Sequence, residues 1–114
     1  MVEIYGIKNC DTMKKALAWL DGQGIAYAFH DFKKEGLEAR LLDGWLKQAG
    51  WETLLNRRGM MWRKLDDAIK DNIDTKSARK VMLETPTIIK RPVLVKDGQV
   101  HVGFKADDYQ KIFG

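Results

Sequence analysis

The spacing of hydrophobic positions changes along the chain, and each change marks a different kind of element. Val2 to Ile7 carries the β-branched and aromatic residues of a buried strand, and Gly6 near its end permits a tight turn or a close backbone approach. After Cys10, the residues Met13, Ala16, Leu17 and Leu20 recur at i, i+3, i+4 and i+7, which predicts a helix with one apolar face. Gly22 and Gly24 supply its stop. Ile25 to Phe32 (IAYAFHDF) then reads as a second strand. Strand, helix and strand at this spacing predict a βαβ unit with parallel strands and a right-handed crossover.

From Leu37 to Leu83 the period is helical, with almost no strand signal. Leu37, Leu41, Leu42, Trp45 and Leu46 line one face of a helix that Gly50 should end. Trp51, Leu54 and Leu55 suggest a short further turn, and Leu65, Ala68 and Ile69 another weak stripe. Asp74 is placed as the N-cap of a helix through Ala78, Val81 and Met82. Pro86 and Pro92 then bracket Thr87 to Arg91. Val93-Leu94-Val95 reads as a strand, Asp97-Gly98 as a two-residue hairpin turn, and Val100-His101-Val102 as the returning strand. A terminal helix buries Tyr109, Ile112 and Phe113.

The order βαβ, helical insert, ββα is that of a thioredoxin-like α/β domain, a four-stranded mixed sheet with helices inserted in its middle. The expected division is one domain over 1–114, with residues 1–35 and 84–114 forming the core and about 36–83 the all-helical insert.

Composition narrows the setting. A chain of 114 residues, 45% hydrophobic and 32% charged, is sized and balanced for one globular domain rather than a disordered one. No apolar run approaches the ~20 residues needed to span a bilayer, so no membrane association is expected. The N-terminal residues lack the charged and apolar regions of a signal peptide. Cys10 is the single cysteine, which excludes an internal disulfide and suggests a reducing compartment, most simply the cytoplasm. The net charge of +4 is modest, and its basic residues are interleaved with Asp and Glu. A solvated basic face accounts for that, and no direct nucleic-acid binding is expected.

Candidate chemistry centres on Cys10, in a polar turn between Asn9 and Asp11 where a helix begins. Thiolates are the attacking species, and a helix N-terminus or nearby cations can lower a thiol pKa from about 8.5 to roughly 3.5–7.5. Lys8 and Lys14 flank the cysteine, while Asp11 acts in the opposite sense. Such a residue is either a nucleophile or a buried packing cysteine; the polar turn favours the nucleophile. The second constellation is Lys90-Arg91-Pro92. In a thioredoxin-like order this loop lies beside the cysteine turn, with Pro92 a candidate cis-proline that exposes backbone polar groups. Arg91 is then either a surface arginine or a fixed guanidinium fork for a carboxylate or oxyanion. Arg57-Arg58 and Arg63-Lys64 form the densest positive patch of the insert, either a solvated face or a lid over the thiolate. Trp45, Trp51 and Trp62 are expected in the core. Metal binding is not expected, because His30 and His101 have no partnering cysteines, and phosphate-loop motifs are absent. Ser77 is the only serine, and a serine triad is not expected.

At these residues the chain resembles the ArsC family, which includes glutaredoxin-linked arsenate reductases, Spx regulators and YffB-type proteins, the last most closely. The resemblance spans essentially the whole chain. Its marks are the strand followed by Cys10 and Thr12, the segment Leu54-Leu55-Asn56-Arg57-Arg58-Gly59, and Lys90-Arg91-Pro92-Val93. It implies a single-cysteine site with no bound cofactor and with glutathione as the external reductant. The departures narrow this. Arsenate reductases carry histidine at Gly6, proline at Lys8 and glycine at Asp11. Their first pocket arginine falls at Asn56 and their third at Phe104, so only Arg91 is cleanly retained. Met13 stands at the second cysteine of the Spx-type C-x-x-C switch. The expected function is therefore a glutathione-dependent thiol reductase. Cys10 is its nucleophile, Arg91 with Arg57 or Arg58 binds a glutathione carboxylate, Lys8 adds positive potential, and Thr12 hydrogen-bonds the sulfur. Glutathione or a glutaredoxin resolves the adduct. Arsenate reduction is the enzymatic alternative. A regulator that binds RNA polymerase is the alternative from another class.

Overall fold

The computed structural model describes residues 2–114. In chain order its elements are β1 (Val2–Gly6), α1 (Asp11–Gly22), β2 (Tyr27–Asp31), α2 (Phe32–Glu35), α3 (Ala39–Ala49), α4 (Trp51–Leu54) and α5 (Met60–Arg63). They continue with α6 (Asp67–Asp71), α7 (Thr75–Glu84), a 3-10 turn (Pro86–Ile88), β3 (Val93–Lys96), β4 (Gln99–Val102) and α8 (Ala106–Phe113). The chain divides into two compact units, Met1–Asp31 with Arg91–Gly114, and Phe32–Lys90.

In the first unit the sheet order is β2-β1-β3-β4. β1 and β2 run parallel, from Val2 opposite Tyr27 to Gly6 opposite Asp31. β3 is antiparallel to both β1 and β4. This is the four-stranded mixed sheet that the element order predicts. Burial alternates along β1: Val2, Ile4 and Gly6 are buried, while Glu3 and Tyr5 are half-buried. Asp97 and Gly98 both take positive φ, 51° and 77°. Those angles are what a hairpin turn matched to strand twist requires, and they explain why Asp-Gly stands there. The core joins Val2, Ile4 and Leu94 of the sheet to Met13, Ala16 and Leu20 of α1 and Tyr109 of α8. The α1 stripe read from the sequence is thus the buried stripe, with Leu17 at its margin. Burying one such aliphatic side chain stabilises by about 1.5–3 kcal/mol. Burial pushes the Tyr109 hydroxyl above its ordinary pKa, because the phenolate would lose its hydration.

The second unit is helical, in more and shorter pieces than the periodicity suggested. The second strand ends at Asp31, one residue short of the predicted Phe32, and starts at Tyr27 rather than Ile25. Phe32 instead opens α2 and is buried with its ring 6.3 Å from that of Trp45. Leu42 and Trp45 of α3, then Leu54 and Leu55, are buried as predicted. Gly50 ends α3 with φ 82°. The stripe assigned to Leu65, Ala68 and Ile69 is not buried: α6 has no buried residue, and Ile69 is exposed. Helices this short are marginal on their own and owe their place to tertiary packing, so periodicity over so few residues carries little weight. Trp45 is core, whereas Trp51 and Trp62 are only half-buried. No helix among the described residues is long and apolar enough to cross a membrane.

Asp74 caps α7 as predicted. Its Oδ1 accepts the Ser77 N–H at 2.9 Å, while Ser77 Oγ accepts the Asp74 N–H at 2.9 Å. The backbone and hydroxyl bonds from Ser77 hold the Asp74 carboxyl below its ordinary pKa. A carboxylate whose folded pKa is depressed contributes stability above its unfolded pKa and loses it as pH falls through the folded one. Asp74→Ala is therefore expected to lower the thermal midpoint at pH 7, and this deficit should shrink as the pH falls below the ordinary carboxylate range. Unfolding curves of both proteins across acid pH check this; a deficit independent of pH would show that the ionised cap is not its source.

Candidate active site

Cys10 occupies the boundary between the first strand and the first helix. β1 ends at Gly6 and α1 begins at Asp11. Cys10 itself is extended, at φ −140° and ψ 126°, and its carbonyl accepts the Lys14 N–H at 2.9 Å. It is thus the N-cap residue of a twelve-residue helix. The first-turn N–H groups have no acceptors within the helix, and the positive end of the helix dipole lies there, so the turn favours an anion. No side-chain bond from Cys10 caps the helix. The thiol is half-buried, packed against the core cluster of Val2, Ile4 and Met13. Lys8 and Asp11 are exposed, and Thr12 is half-buried in the first turn.

Strand register brings the second constellation to the same end of the sheet. Tyr5 pairs with Val93 in antiparallel register, so the start of β3 adjoins the end of β1. Arg91 and Pro92 immediately precede that start, and the peptide bond between them is cis. Pro92 is buried and Arg91 half-buried. The Pro92 carbonyl accepts the Gly103 N–H at 2.8 Å. Asp31 also ends its strand here, opposite Gly6, and is a buried carboxylate with 8% exposure. It was missed in the sequence because it sits inside an apolar stretch; a lone carboxylate closing such a stretch is the signal that marks it.

Arg57 and Arg58 belong to the other unit. Leu55 pairs with Ile89 in an isolated antiparallel bridge, the Asn56 N–H donates to the Ile88 carbonyl at 3.0 Å, and the Lys90 N–H donates to that of Leu54 at 2.7 Å. Asn56 Oδ1 in turn accepts the Arg58 N–H at 3.1 Å, which shapes the turn. Both arginines are exposed, and the Arg57 guanidinium lies over the Trp51 ring, 5.4 Å from its centroid. Cation–π attraction makes Trp51 the support of Arg57 rather than a core residue. Phe104 stands edge-on to Tyr109 with centroids 4.7 Å apart, so that position is given to apolar packing and offers no contact to an anion.

Among the described residues no group of three or more His, Cys, Asp and Glu could hold a metal ion. His30 Nε2 lies 3.1 Å from Glu3 Oε2, and its ring stacks on Tyr5 at 4.5 Å. The arrangement offers one half-buried thiol at a helix start and a half-buried arginine, Arg91, just before β3 at the same sheet end. That is the equipment for attack on a sulfur or oxyanion centre and for holding an anionic group beside it.

Comparison with known proteins matches residues 5–112 to the ArsC family model. An uncharacterized protein of Haemophilus influenzae is 43% identical over 113 residues, covering 99% of both chains. A solved structure of a YffB protein is 47% identical, with a TM-score of 0.96 and full coverage of both chains. A solution structure of an arsenate reductase (ArsC) related protein from Brucella melitensis is 56% identical, covering 98% of this chain and 93% of that one, with a TM-score of 0.80.

Proposed function

The chain belongs to the ArsC family, and from that premise we propose that it is a glutathione-dependent thiol reductase working through Cys10 alone. The observation that carries this reading is the half-buried thiol at the N-cap of α1, with no second cysteine anywhere in the chain. A single sulfur can be oxidised to a mixed disulfide but cannot resolve it, so an outside thiol must.

The cycle has two exchanges. The Cys10 thiolate attacks the glutathione sulfur of a mixed disulfide R–S–S–G. The new Cys10–S–S–G bond forms as R–S⁻ leaves, and R–S⁻ takes up a proton. A second glutathione thiolate then attacks the glutathione sulfur of that adduct, releasing the Cys10 thiolate and oxidised glutathione. Overall, R–S–S–G and one glutathione thiol give R–SH and oxidised glutathione. The R–S sulfur falls from the disulfide to the thiol level while the incoming glutathione sulfur rises from the thiol to the disulfide level. A glutaredoxin thiol serves equally well in the second step. Arg91 binds a glutathione carboxylate. Lys8 adds positive potential to the thiolate, Thr12 lies in the turn that receives it, and Pro92 anchors the loop carrying Arg91.

Arsenate is the weaker substrate on this reading. Asn56 is tied into its turn and Phe104 into the aromatic cluster, so neither position supplies a cation for a small tetrahedral oxyanion. After exposure to oxidised glutathione, mass spectrometry should find one glutathione adduct, on the Cys10 peptide, that reduced glutathione removes. Turnover on a glutathione mixed disulfide should exceed turnover on arsenate. Absence of the adduct, or the reverse order of turnover, would overturn the proposal.

A further inference from the structure

Gly6 is glycine for want of space rather than for backbone freedom. Its φ is not among the positive values found at Gly24, Gly36, Gly50, Gly98, Gly103 and Gly114, so its strand conformation is open to any residue. A Cβ added there would lie 2.3 Å from Met13 Sδ, 2.8 Å from Cε and 3.1 Å from Cγ. Met13 has 0% exposure, so its thioether is enclosed and would have to repack within the core to make room. Glycine weakens a strand interior, and here the bare Cα lets the third residue of α1 close down on the last residue of β1. The loop of residues 7–10, Cys10 among them, and the first two residues of α1 lie between these contacting ends.

We infer that Gly6 and Met13 are a positioning pair: their contact pins both ends of the Cys10 loop and sets where the sulfur stands at the sheet end. The inference rests on Cys10 being the nucleophile of the proposed cycle. Neither residue touches substrate; both act through the placement of Cys10. A side chain at position 6 therefore requires Met13 to shift its thioether or to be replaced by a smaller residue.

The test uses the full chain with Gly6→Ala, Met13→Val and the double variant. Valine keeps a Cγ but removes the two atoms, Sδ and Cε, that come nearest the added methyl. The readouts are the second-order rate of adduct formation with oxidised glutathione and, separately, the thermal midpoint. Displacement of a reacting atom by an ångström costs up to about 100-fold. Gly6→Ala should therefore slow adduct formation roughly 10- to 100-fold, and the double variant should recover the rate even where its thermal midpoint stays below that of the parent. Met13→Val alone should slow the reaction a few-fold, and it decides the matter if Gly6→Ala does not fold. Wild-type-like rates in Gly6→Ala, a folded double variant that stays slow, or an unchanged rate in Met13→Val would each overturn the inference. Failure of the parent protein to form the adduct would instead overturn the proposed function.

Discussion

Cys10→Ser is expected to abolish the glutathione adduct and to lower glutathione-linked turnover by several orders of magnitude, to the rate of direct exchange in solution. A serine hydroxyl is not ionised near neutral pH and forms no disulfide, so neither exchange of the cycle remains. The fold should persist, because the half-buried thiol is replaced by a group of similar size and the change in stability is about 1 kcal/mol or less. Thermal unfolding measured beside turnover separates the two effects. A folded serine variant that keeps its turnover would remove Cys10 from the chemistry.

Arg91→Ala carries the second largest expected effect. A hydrogen bond to a charged group contributes about 1.5–3 kcal/mol, which corresponds to roughly 10- to 150-fold in binding. The loss should appear mainly as a raised KM for glutathione with a smaller change in kcat, because a carboxylate remote from the sulfur is bound alike before and during exchange. Lysine should restore the charge but only part of the affinity, since its ammonium cannot form the two-pronged contact of a guanidinium. Steady-state kinetics at varied glutathione concentration check both variants. An Arg91→Ala protein with unchanged KM and a lower thermal midpoint would make Arg91 a structural residue.

Much of this site was legible along the chain because its signals are local. The thiol, the helix that starts beyond it and the apolar stripe that orients that helix lie within residues 10–20, and periodicity reports such neighbours directly. The Asp97-Gly98 turn and the Asp74 cap were likewise readable, since each depends on the conformational preference of one or two residues. Failures came where neighbours in sequence are not neighbours in space. Phe32 looks like the last residue of a strand, yet its ring packs near Trp45. Leu65, Ala68 and Ile69 repeat like one buried face, yet Leu65 lies outside α6 and that single-turn helix buries nothing. Trp51 resembles core until Arg57 is found over it.

By itself, then, the sequence determined the order of elements, the single thiol at the start of the first helix, and the absence of any internal resolving thiol. All three follow from residue type and local spacing. Tertiary structure alone decided what stands around that thiol. The pairing of Tyr5 with Val93 and of Gly6 with Asp31 brings residues distant in sequence to one sheet end, and a linear pattern does not record which strand neighbours which. The closeness of Gly6 to Met13 belongs to the same class. A glycine shows that a side chain is missing, and only the packed structure shows which atoms fill its place.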